Sequence, residues 1–507
     1  MNRFLLFTIF LLLAYTGLMA QSYPPDVAEN LIKASKNRYE LEKVINYFRN
    51  SKDSLKLKAA YFLIANMDIH YSNDYFWADS TGKHIEFSEL DYPDFATAID
   101  AFEQVKLQHG KVKPVAFTAK DINTIKADFL IENIELAFEA WGNKPFNKKS
   151  FDIFCEYVLP YRTSTEPLQP WRKQYKQRYL NSFNLSSAIN QKEYLLKYAL
   201  DMKDVEFVGS YAFETRKEPL SRLGAQQLLL RKKGACEDLA AFKTYAMRSH
   251  GVPAAVAVIP YWATASAGHF FTVAYTDKLE KIALEPMKED PILGQTFYRE
   301  PSKILITTFS KQKETLASFT DIWQIPPGIM RVQNYKDVTS NYWPVQQIVC
   351  KLYTTKAPIV YASVFNYMRW KPTWWGKVTN NTVTFTEMPQ GVAVLPMWYA
   401  NGRLQPAGYP VIAYGGKQKE LKPDLTNRHN ISLSWQDKYL VYRLGSKYKL
   451  YYWDNTWKLI KEKTAEQTDK MDFDDVPKNA LLLLKPDYSN GKERPFIITD
   501  KGERVWW

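Results

Sequence analysis

Three residues near the middle of this 507-residue chain have the types and the order that acyl transfer through a thioester requires. Cys236 has a glycine two positions before it, His269 directly follows a glycine, and Glu285 directly precedes a proline. An unperturbed thiol, with a pKa of about 8.5, is only partly ionised at neutral pH, so a nucleophilic cysteine needs a cationic imidazole or a helix N-terminus beside it. The three residues therefore predict a site that breaks or exchanges amide bonds.

A helix is predicted to position the thiol. Apolar residues recur at helical spacing from Cys236 to Ser249, with polar residues on the opposite side. Cys236 would then lie in the first turn, where unpaired backbone N–H groups and the helix dipole favour a thiolate. The same N–H groups can receive a developing oxyanion. Gly234 lets the chain turn sharply just before the helix.

A strand is predicted to position the imidazole. The residues after His269, over positions 270–275, are aromatic, β-branched or small, which is typical of a strand. A second short strand over Lys281–Leu284 follows at hairpin distance and would bring Glu285 beside His269. A carboxylate at that place holds the imidazole in the required tautomer and stabilises its charged form.

Other residues compete for roles in this site. Asp277 and Asp290 are alternatives to Glu285 as the carboxylate that orients the imidazole. Trp262 precedes His269 on a predicted loop at the mouth of the cleft, where its indole N–H could donate to an oxyanion or its ring could wall an acyl tunnel. A packing role for this tryptophan is the alternative.

Two further sets of residues are interpreted as structural. Gln226 and Gln227 invite comparison with an oxyanion glutamine, but they fall inside a predicted helix over Leu220–Leu230. Cys155 and Cys350 lack the glycine and the amphipathic helix that surround Cys236, and free cysteine is often a small buried hydrophobe.

The stretch from about Gln191 to Pro291 resembles the transglutaminase-like superfamily, whose core is a circularly permuted relative of papain. The resemblance rests on four short motifs: Gly234-x-Cys236, Gly251-Val252-Pro253, Gly268-His269 and Glu285-Pro286. It implies Cys236 as the nucleophile, His269 as the general base and acid, and Glu285 as the residue that orients the imidazole. The family usually has aspartate at the last of these positions, so the carboxylate of this chain stands one methylene further out.

The N-terminal residues predict export. Arg3 is followed by an almost unbroken apolar run over residues 4–18 and by the small residue Ala20, which is the pattern of a signal peptide over residues 1–20. The alternative is an uncleaved anchor. No other stretch approaches the roughly 18 consecutive apolar residues of a membrane span. We therefore expect a periplasmic or extracellular protein without a membrane span once the signal is removed.

Composition narrows the partners and cofactors. The net charge of +13 comes from scattered lysines and arginines, which favours acidic surfaces or substrates and not nucleic acid. Three cysteines in the whole chain exclude a disulfide framework. The spacing of histidines and cysteines matches no metal site, and no glycine-rich phosphate loop is present. The sequence predicts no metal and no cofactor.

The order of patterns along the chain predicts an α+β fold with a papain-like, transglutaminase-like core between a helical N-terminal region and a C-terminal β-sandwich region. Apolar residues at helical spacing dominate the first part, and short alternating runs separated by turn residues dominate the last. The predicted division is a signal peptide over 1–20, a helical domain over 21–183, a catalytic core over 184–310, a linker over 311–338 and one or two β-sandwich modules over 339–507.

Tryptophan is concentrated in the β-rich region. Ten of the fifteen tryptophans lie from Trp343 onward. Aromatic rings on a sandwich can stack on sugars, so this region is a candidate for glycan contact, and packing inside the sheets is the alternative. The last residues, Glu503 to Trp507, are predicted to form a final strand whose aromatic side chains fix it into a sheet.

The predicted function is that of a secreted, bacterial, transglutaminase-like cysteine enzyme that acts on amide bonds of peptides, proteins or glycopeptides. Hydrolysis is favoured over transfer because water is abundant and no dedicated amine acceptor is evident. The alternative is an inactive binding or scaffold protein that contacts glycans or cell wall through the β-sandwich region. The glutamate at position 285 keeps that alternative open.

Overall fold

The structure is a computed structural model that describes residues 23–143, 145–183, 190–195, 206–207, 222–284, 297, 299–353, 357–437 and 439–507. The predicted signal peptide lies outside these residues. Helices dominate the N-terminal part of the described chain, and strands dominate the C-terminal part. Within the described residues, no helix combines the length and the apolar character that crossing a membrane requires.

The N-terminal region is helical over most of its length, as its periodicity predicts. The first helical stretch is divided at Ser35, which has a positive φ of 51°. The helices are α1 (Pro25–Lys33), α2 (Arg38–Asn50), α3 (Ser54–Asn66), α4 (Phe95–His109), α5 (Asp121–Thr124), α6 (Ala127–Trp141), α7 (Phe151–Tyr157), α8 (Arg172–Arg178) and α9 (Leu180–Phe183).

This region also contains a small antiparallel sheet that the sequence reasoning missed. Its strands are β1 (Tyr71–Ala78), β2 (His84–Ile85) and β3 (Lys113–Lys120), in the order β2-β1-β3. The aromatic run in β1 is a strand signal, but it lies between strongly periodic helical segments.

The central part consists of a five-stranded antiparallel sheet and one long buried helix. The elements are β4 (Glu206–Phe207), α10 (Ala225–Arg231), β5 (Lys233–Gly234), α11 (Cys236–Ser249), β6 (Ala254–Ile259), β7 (His269–Tyr275), β8 (Lys281–Leu284), β9 (Leu305–Thr307) and β10 (Tyr335–Asp337). The strand order is β10-β9-β6-β7-β8, and the short β4 and β5 pair in parallel. Strand β10 falls inside the segment predicted as a linker over 311–338, so this segment supplies an edge strand of the central sheet.

Buried arginines join the N-terminal helices to the central sheet. Arg162 Nη2 lies 2.7 Å from Asp121 Oδ1, and both side chains are buried. Arg248, in the last turn of α11, donates from Nη1 to the carbonyl of Arg162 at 2.8 Å and from Nε to the carbonyl of Ala254 at 3.0 Å. Because buried charges need paired or hydrogen-bonded partners, this network fixes the two regions against each other.

The C-terminal part is built of antiparallel strands, as predicted. They are β11 (Val345–Lys351), β12 (Ile359–Asn366), β13 (Arg369–Thr379), β14 (Thr382–Pro389), β15 (Val392–Ala400), β16 (Arg403–Pro406), β17 (Val411–Tyr414), β18 (Lys417–Glu420), β19 (Asp424–Ser434), β20 (Lys447–Asp454), β21 (Thr456–Thr464), β22 (Lys470–Lys478), β23 (Leu482–Pro486), β24 (Phe496–Ile498) and β25 (Arg504–Trp506). The sheets have the orders β11-β14-β13-β12-β15-β17-β18 with β16 on β15, β19-β22, and β21-β20-β23-β24-β25.

Local turn chemistry and tryptophan packing organise these strands. The predicted turn at Asn401-Gly402 has φ values of 51° and 74° and joins β15 to β16, which matches the primed turns of hairpins. Trp370 of β13 and Trp453 of β20 pack together with ring centroids 5.5 Å apart, and Trp507 lies in the same buried cluster. These tryptophans therefore pack between the sheets, and the predicted final strand exists as β25.

Candidate functional site

The first turn of α11 is built by residues close in sequence. Ala235 is the N-cap of the helix, and its N–H donates to Asp238 Oδ2 at 3.0 Å. The Asp238 side chain satisfies one of the unpaired donors of the helix start. A Cβ on Gly234 would lie 2.5 Å from the Cβ of Asp238, so glycine is required there for close approach. Cys236 is thereby fixed in the first turn, as predicted.

The sulfur of Cys236 lies beside an ion pair that the sequence reasoning missed. Cys236 is partly exposed, and its Sγ donates to Glu237 Oε2 at 3.6 Å. Glu237 Oε1 lies 3.0 Å from Arg222 Nη1. Burial, aided by the Asp238 carboxylate, raises the pKa of Glu237 to about 8, whereas the Arg222 guanidinium favours its charged form. A carboxyl group of adjustable charge therefore adjoins the thiol.

The imidazole lies at the start of a central strand, as predicted. His269 begins β7 and pairs with Ile259 of β6. A Cβ on Gly268 would meet the carbonyl oxygens of Pro260 at 2.5 Å and Ile259 at 2.6 Å. The glycine before the histidine is thus required by the close approach of two backbone carbonyls.

Trp262 and His269 are brought together. Their ring centroids are 5.9 Å apart and their planes are inclined by 22°. The loop between them is closed by the Trp262 N–H, which donates to the carbonyl of Ala267 at 2.9 Å. Trp262 is only 5% exposed and also packs against Phe297. The tryptophan therefore both packs and covers one side of the imidazole.

Helix α11 and strand β7 are bonded to each other close to both residues. Thr272 Oγ1 donates to the carbonyl of Ala240 at 2.9 Å. This bond lies about one helical turn after Cys236 and three residues after His269. Arg248, in the last turn of α11, is bonded to Ala254 at the start of β6. Ala254 pairs with Ala274, which lies near the end of β7. The N-terminus of α11 and the start of β7 therefore lie at the same end of the central sheet.

A cavity of about 390 Å³ occupies the helix-bearing face of the sheet beyond the N-terminus of α11. The paired residues Val258 and Phe270 line it, and so do Tyr261 and Arg222. Its wall is mostly apolar, and Arg222 connects it through Glu237 to the sulfur of Cys236. A ligand of small-peptide size therefore has a place in this cavity, in contact with Arg222.

The remaining candidates for the carboxylate that orients the imidazole differ in where they lie. Asp277 follows the far end of β7, and its Oδ2 accepts a hydrogen bond from the Lys148 N–H at 2.9 Å. Because His269 begins that strand, Asp277 is wrong as an alternative orienting carboxylate. Glu285 and Asp290 lie outside the described residues.

The residues interpreted as structural have structural contacts. Gln227 Oε1 accepts from the Gly224 N–H at 2.8 Å, and Gln226 Nε2 donates to the carbonyl of Pro170 at 3.0 Å. Cys155 and Cys350 are buried, and burial raises the pKa of both thiols. Within the described part of the chain, no group of three or more histidine, cysteine or acidic side chains is arranged to hold a metal ion.

Comparison with known proteins gives a likeness to solved structures. No protein-family model and no curated protein matches the chain. The chain is similar to a crystal structure of red sea bream transglutaminase at 9% sequence identity, over 85% of this chain and 76% of that chain, with a TM-score of 0.22. A likeness of this size carries no argument for the activity of the chain.

Proposed function

We propose that this chain is a cysteine-dependent acyl-transfer enzyme with a transglutaminase-like core, in which Cys236 is the nucleophile and His269 the general base and acid. The observation that carries the proposal is the placement of the N-terminus of α11 and the start of β7 at the same end of the central sheet, joined by the bond from Thr272 to Ala240.

The reaction follows from the chemistry of these groups. The Cys236 sulfur attacks the carbonyl carbon of an amide while His269 takes the thiol proton. The N–H groups of the first turn of α11 receive the oxyanion. His269 then gives its proton to the departing amine, the C–N bond breaks, and a thioester remains. Water completes hydrolysis and returns the thiol, or an amine completes transfer.

Trp262 and Glu285 have supporting roles in this proposal. The Trp262 ring lies over His269 and limits both its rotation and its access to water. Glu285 is the residue that the family resemblance assigns to orienting the imidazole. Because burial favours the neutral form of Glu237, it reduces the negative charge that would oppose a thiolate at Cys236.

The substrate is proposed to be a peptide, protein or glycopeptide. The mostly apolar cavity that Val258, Phe270 and Arg222 line suits an amino-acid side chain of such a substrate. The apolar segment over residues 4–18 supports a location in the periplasm or outside the cell, where such substrates occur. Hydrolysis is favoured over transfer.

A second candidate is a binding or scaffold protein that keeps the core without activity. The hydrogen bond from Cys236 Sγ to Glu237 favours it, because it engages the sulfur with a neighbouring side chain of the same helix. Contact with glycans or cell wall would then fall to the β-rich C-terminal region.

Thiol labelling separates the two candidates. Iodoacetamide is applied across pH to the wild type and to His269→Ala, with Cys155→Ala as the control variant, and labelled cysteines are identified by mass spectrometry. The enzyme predicts labelling of Cys236 well below pH ~8.5, where an unperturbed thiol ionises, and loss of this early labelling in His269→Ala. Labelling of Cys236 only above that pH in both proteins would favour the scaffold.

Turnover completes the test. Peptide and glycopeptide libraries are incubated with the wild type, with Cys236→Ala and with the Cys155→Ala control. We expect amide cleavage that falls by at least about 10⁴-fold without the nucleophile and that the control retains. Equal product from the wild type and Cys236→Ala would exclude the cysteine mechanism.

A further inference from the structure

The loop over residues 260–268, here called the His269 loop, connects β6 to β7 and carries Trp262. Its backbone is partly bonded within the core, since the Ala263 N–H donates to the carbonyl of Glu300 at 2.8 Å. The carbonyls of Trp262, Ala263, Ala265 and Ala267 also accept from two side chains of the C-terminal half, those of Asn366 and Arg494.

Asn366 makes four hydrogen bonds to the His269 loop with one side chain. Its Nδ2 donates to the carbonyls of Trp262 at 3.0 Å, Ala265 at 2.9 Å and Ala267 at 2.9 Å, and its Oδ1 accepts from the Ala267 N–H at 3.2 Å. The two hydrogens of the amide are thus shared among three acceptors. Asn366 is 1% exposed, and its bond to the Trp262 carbonyl is buried, whereas its bonds to Ala265 and Ala267 are partly buried.

Asn366 is itself held rigidly. It is the last residue of β12, which lies between β13 and β15 in its sheet. It pairs with Arg369 across a two-residue turn of Tyr367 and Met368, whose φ values are 47° and 58°. A turn of this type fixes the hairpin register, so the amide group is presented to the His269 loop at a fixed position.

Arg494 reaches the same loop from the segment that precedes β24. Its Nη2 donates to the carbonyl of Ala263 and its Nη1 to that of Ala265 at 3.3 Å, while Nε is anchored on the carbonyl of Trp507 at 3.0 Å. Burial lowers the pKa of Arg494 to about 9, which leaves the guanidinium charged at neutral pH. Its planar fork therefore holds two carbonyls of the loop at once.

The loop is also held by apolar packing. Ala263 is buried in the hydrophobic cluster of the first C-terminal sheet, together with Val360, Val394 and Val411. A side chain of the His269 loop thus belongs to the core of the C-terminal strands and not to that of the central sheet.

We propose that Asn366 and Arg494 are positioning residues that hold the His269 loop, so that the candidate site is complete only with the C-terminal strands folded against the central sheet. Buried carbonyls need donors. In a protein without these two side chains, the loop would rearrange to reach water and carry Trp262 with it. That these residues hold the loop does not depend on the protein being an enzyme, whereas the effect on turnover rests on the proposed function.

The test uses the full chain with Asn366→Asp and Arg494→Lys. Asn366→Asp keeps the shape but replaces the donating nitrogen by an acceptor, and Arg494→Lys keeps the charge but loses the fork. Asn479→Asp is the matched control, because Asn479 Nδ2 also donates to two backbone carbonyls of the C-terminal half, those of Glu420 at 3.0 Å and Lys422 at 2.9 Å.

Hydrogen–deuterium exchange reads the loop directly. In both loop variants we expect amides of residues 261–268 to exchange at least about 10-fold faster, with α11 unchanged and the control like the wild type. Exchange of this segment at the wild-type rate in both variants would overturn the proposal.

Kinetics separates positioning from general stability. On an amide that the wild type cleaves, kcat should fall by about 10- to 100-fold in the loop variants while KM changes much less. Wild-type kcat in both variants would show that the loop needs no such holding, although the proposed function would stand. Absence of wild-type turnover would defeat the proposed function and leave the exchange result valid.

If a loop variant does not fold, a measurement on the wild type alone still tests the proposal. In the wild type, the Ala267 amide bonded to Asn366 should exchange as slowly as the amides of β12. Exchange as fast as that of the exposed turn at Gly415 and Gly416 would contradict the proposal.

Discussion

The two halves of the candidate site are held by different means. The half with Cys236 is fixed by neighbours in sequence, through the contact of Asp238 with Ala235 and the close approach at Gly234. In the half with His269, a loop leads into strand β7, and its carbonyls are bound by Asn366 and other side chains far along the chain.

This difference shows why one half is readable from sequence. A helix start depends on residues within one turn of it, so its signals lie within a short window. A loop that depends on distant donors leaves no mark near its own residues. Changes near Cys236 should therefore act locally, and changes near His269 should disturb contacts between the central sheet and the C-terminal strands.

Replacing Gly268 or Gly234 by alanine gives the largest expected effect in this comparison. In Gly268→Ala the added Cβ meets two backbone carbonyls, of Pro260 at 2.5 Å and Ile259 at 2.6 Å, whereas in Gly234→Ala it meets the side chain of Asp238 at 2.5 Å. Backbone yields less readily than a side chain. We expect a loss of about 3 kcal/mol in the free energy of unfolding for Gly268→Ala and about 1 to 2 kcal/mol for Gly234→Ala.

Urea unfolding measures both losses, with Gly142→Ala as the control because a Cβ there meets no atom within 4 Å. Equal losses for the two test variants would mean that the His269 half is no more constrained by backbone than the Cys236 half. A loss in the control comparable to theirs would assign the effects to glycine replacement in general.

The contrast between local and distant contacts also explains what the sequence could and could not predict. Helix α11 and the start of β7 were predicted at the residues where they lie, because amphipathic periodicity and a strand-forming run are local signals. Strand β10 was missed because three residues at a sheet edge show no usable period, and its assignment depends on pairing with β9.

The surroundings of the site residues were harder to predict than the residues themselves. Arg222 lies 15 positions before Glu237, and no spacing rule links them, although the charged residue directly after Cys236 was visible. The contacts of Arg494 cross more than 220 positions of sequence. Such contacts arise from how the sheets pack, which a single sequence does not encode in any short pattern.

Glu237→Gln sharpens the comparison on the Cys236 side. The pKa of Glu237 is raised to about 8 in the fold, against about 4.3 for an unfolded glutamate. Between these values the unfolded chain binds fewer protons than the native one, so wild-type stability falls as pH rises through this window and is level above it. The glutamine variant lacks this loss, so its free energy of unfolding relative to that of the wild type should rise from about pH 4 to pH 8.

The expected gain is at least about 1.4 kcal/mol, because each unit of pKa difference between the folded and the unfolded chain corresponds to that free energy. Chemical unfolding at several pH values measures the difference, with the exposed Glu314→Gln as the control. A glutamine variant that loses stability relative to the wild type as pH rises would show that Arg222 outweighs burial.

The smallest effect concerns the bond that ties the two halves together. Thr272→Val keeps the shape of the side chain but removes the donor to the carbonyl of Ala240, which also accepts from Thr244 Oγ1 at 2.8 Å. Because that carbonyl keeps a partner, the expected loss is about 1 kcal/mol in the free energy of unfolding. Thr307→Val is the matched control, since Thr307 Oγ1 donates to the carbonyl of Val256 within the sheet at 3.0 Å.

Both threonine variants should lose similar stability, but only Thr272→Val should alter the two halves relative to each other. The readout is the pH dependence of iodoacetamide labelling at Cys236, which should move in Thr272→Val and stay unchanged in Thr307→Val. If labelling is unchanged in both, packing of α11 on the sheet fixes the thiol without this bond, and the two halves depend on each other less than their shared position at one end of the sheet suggests.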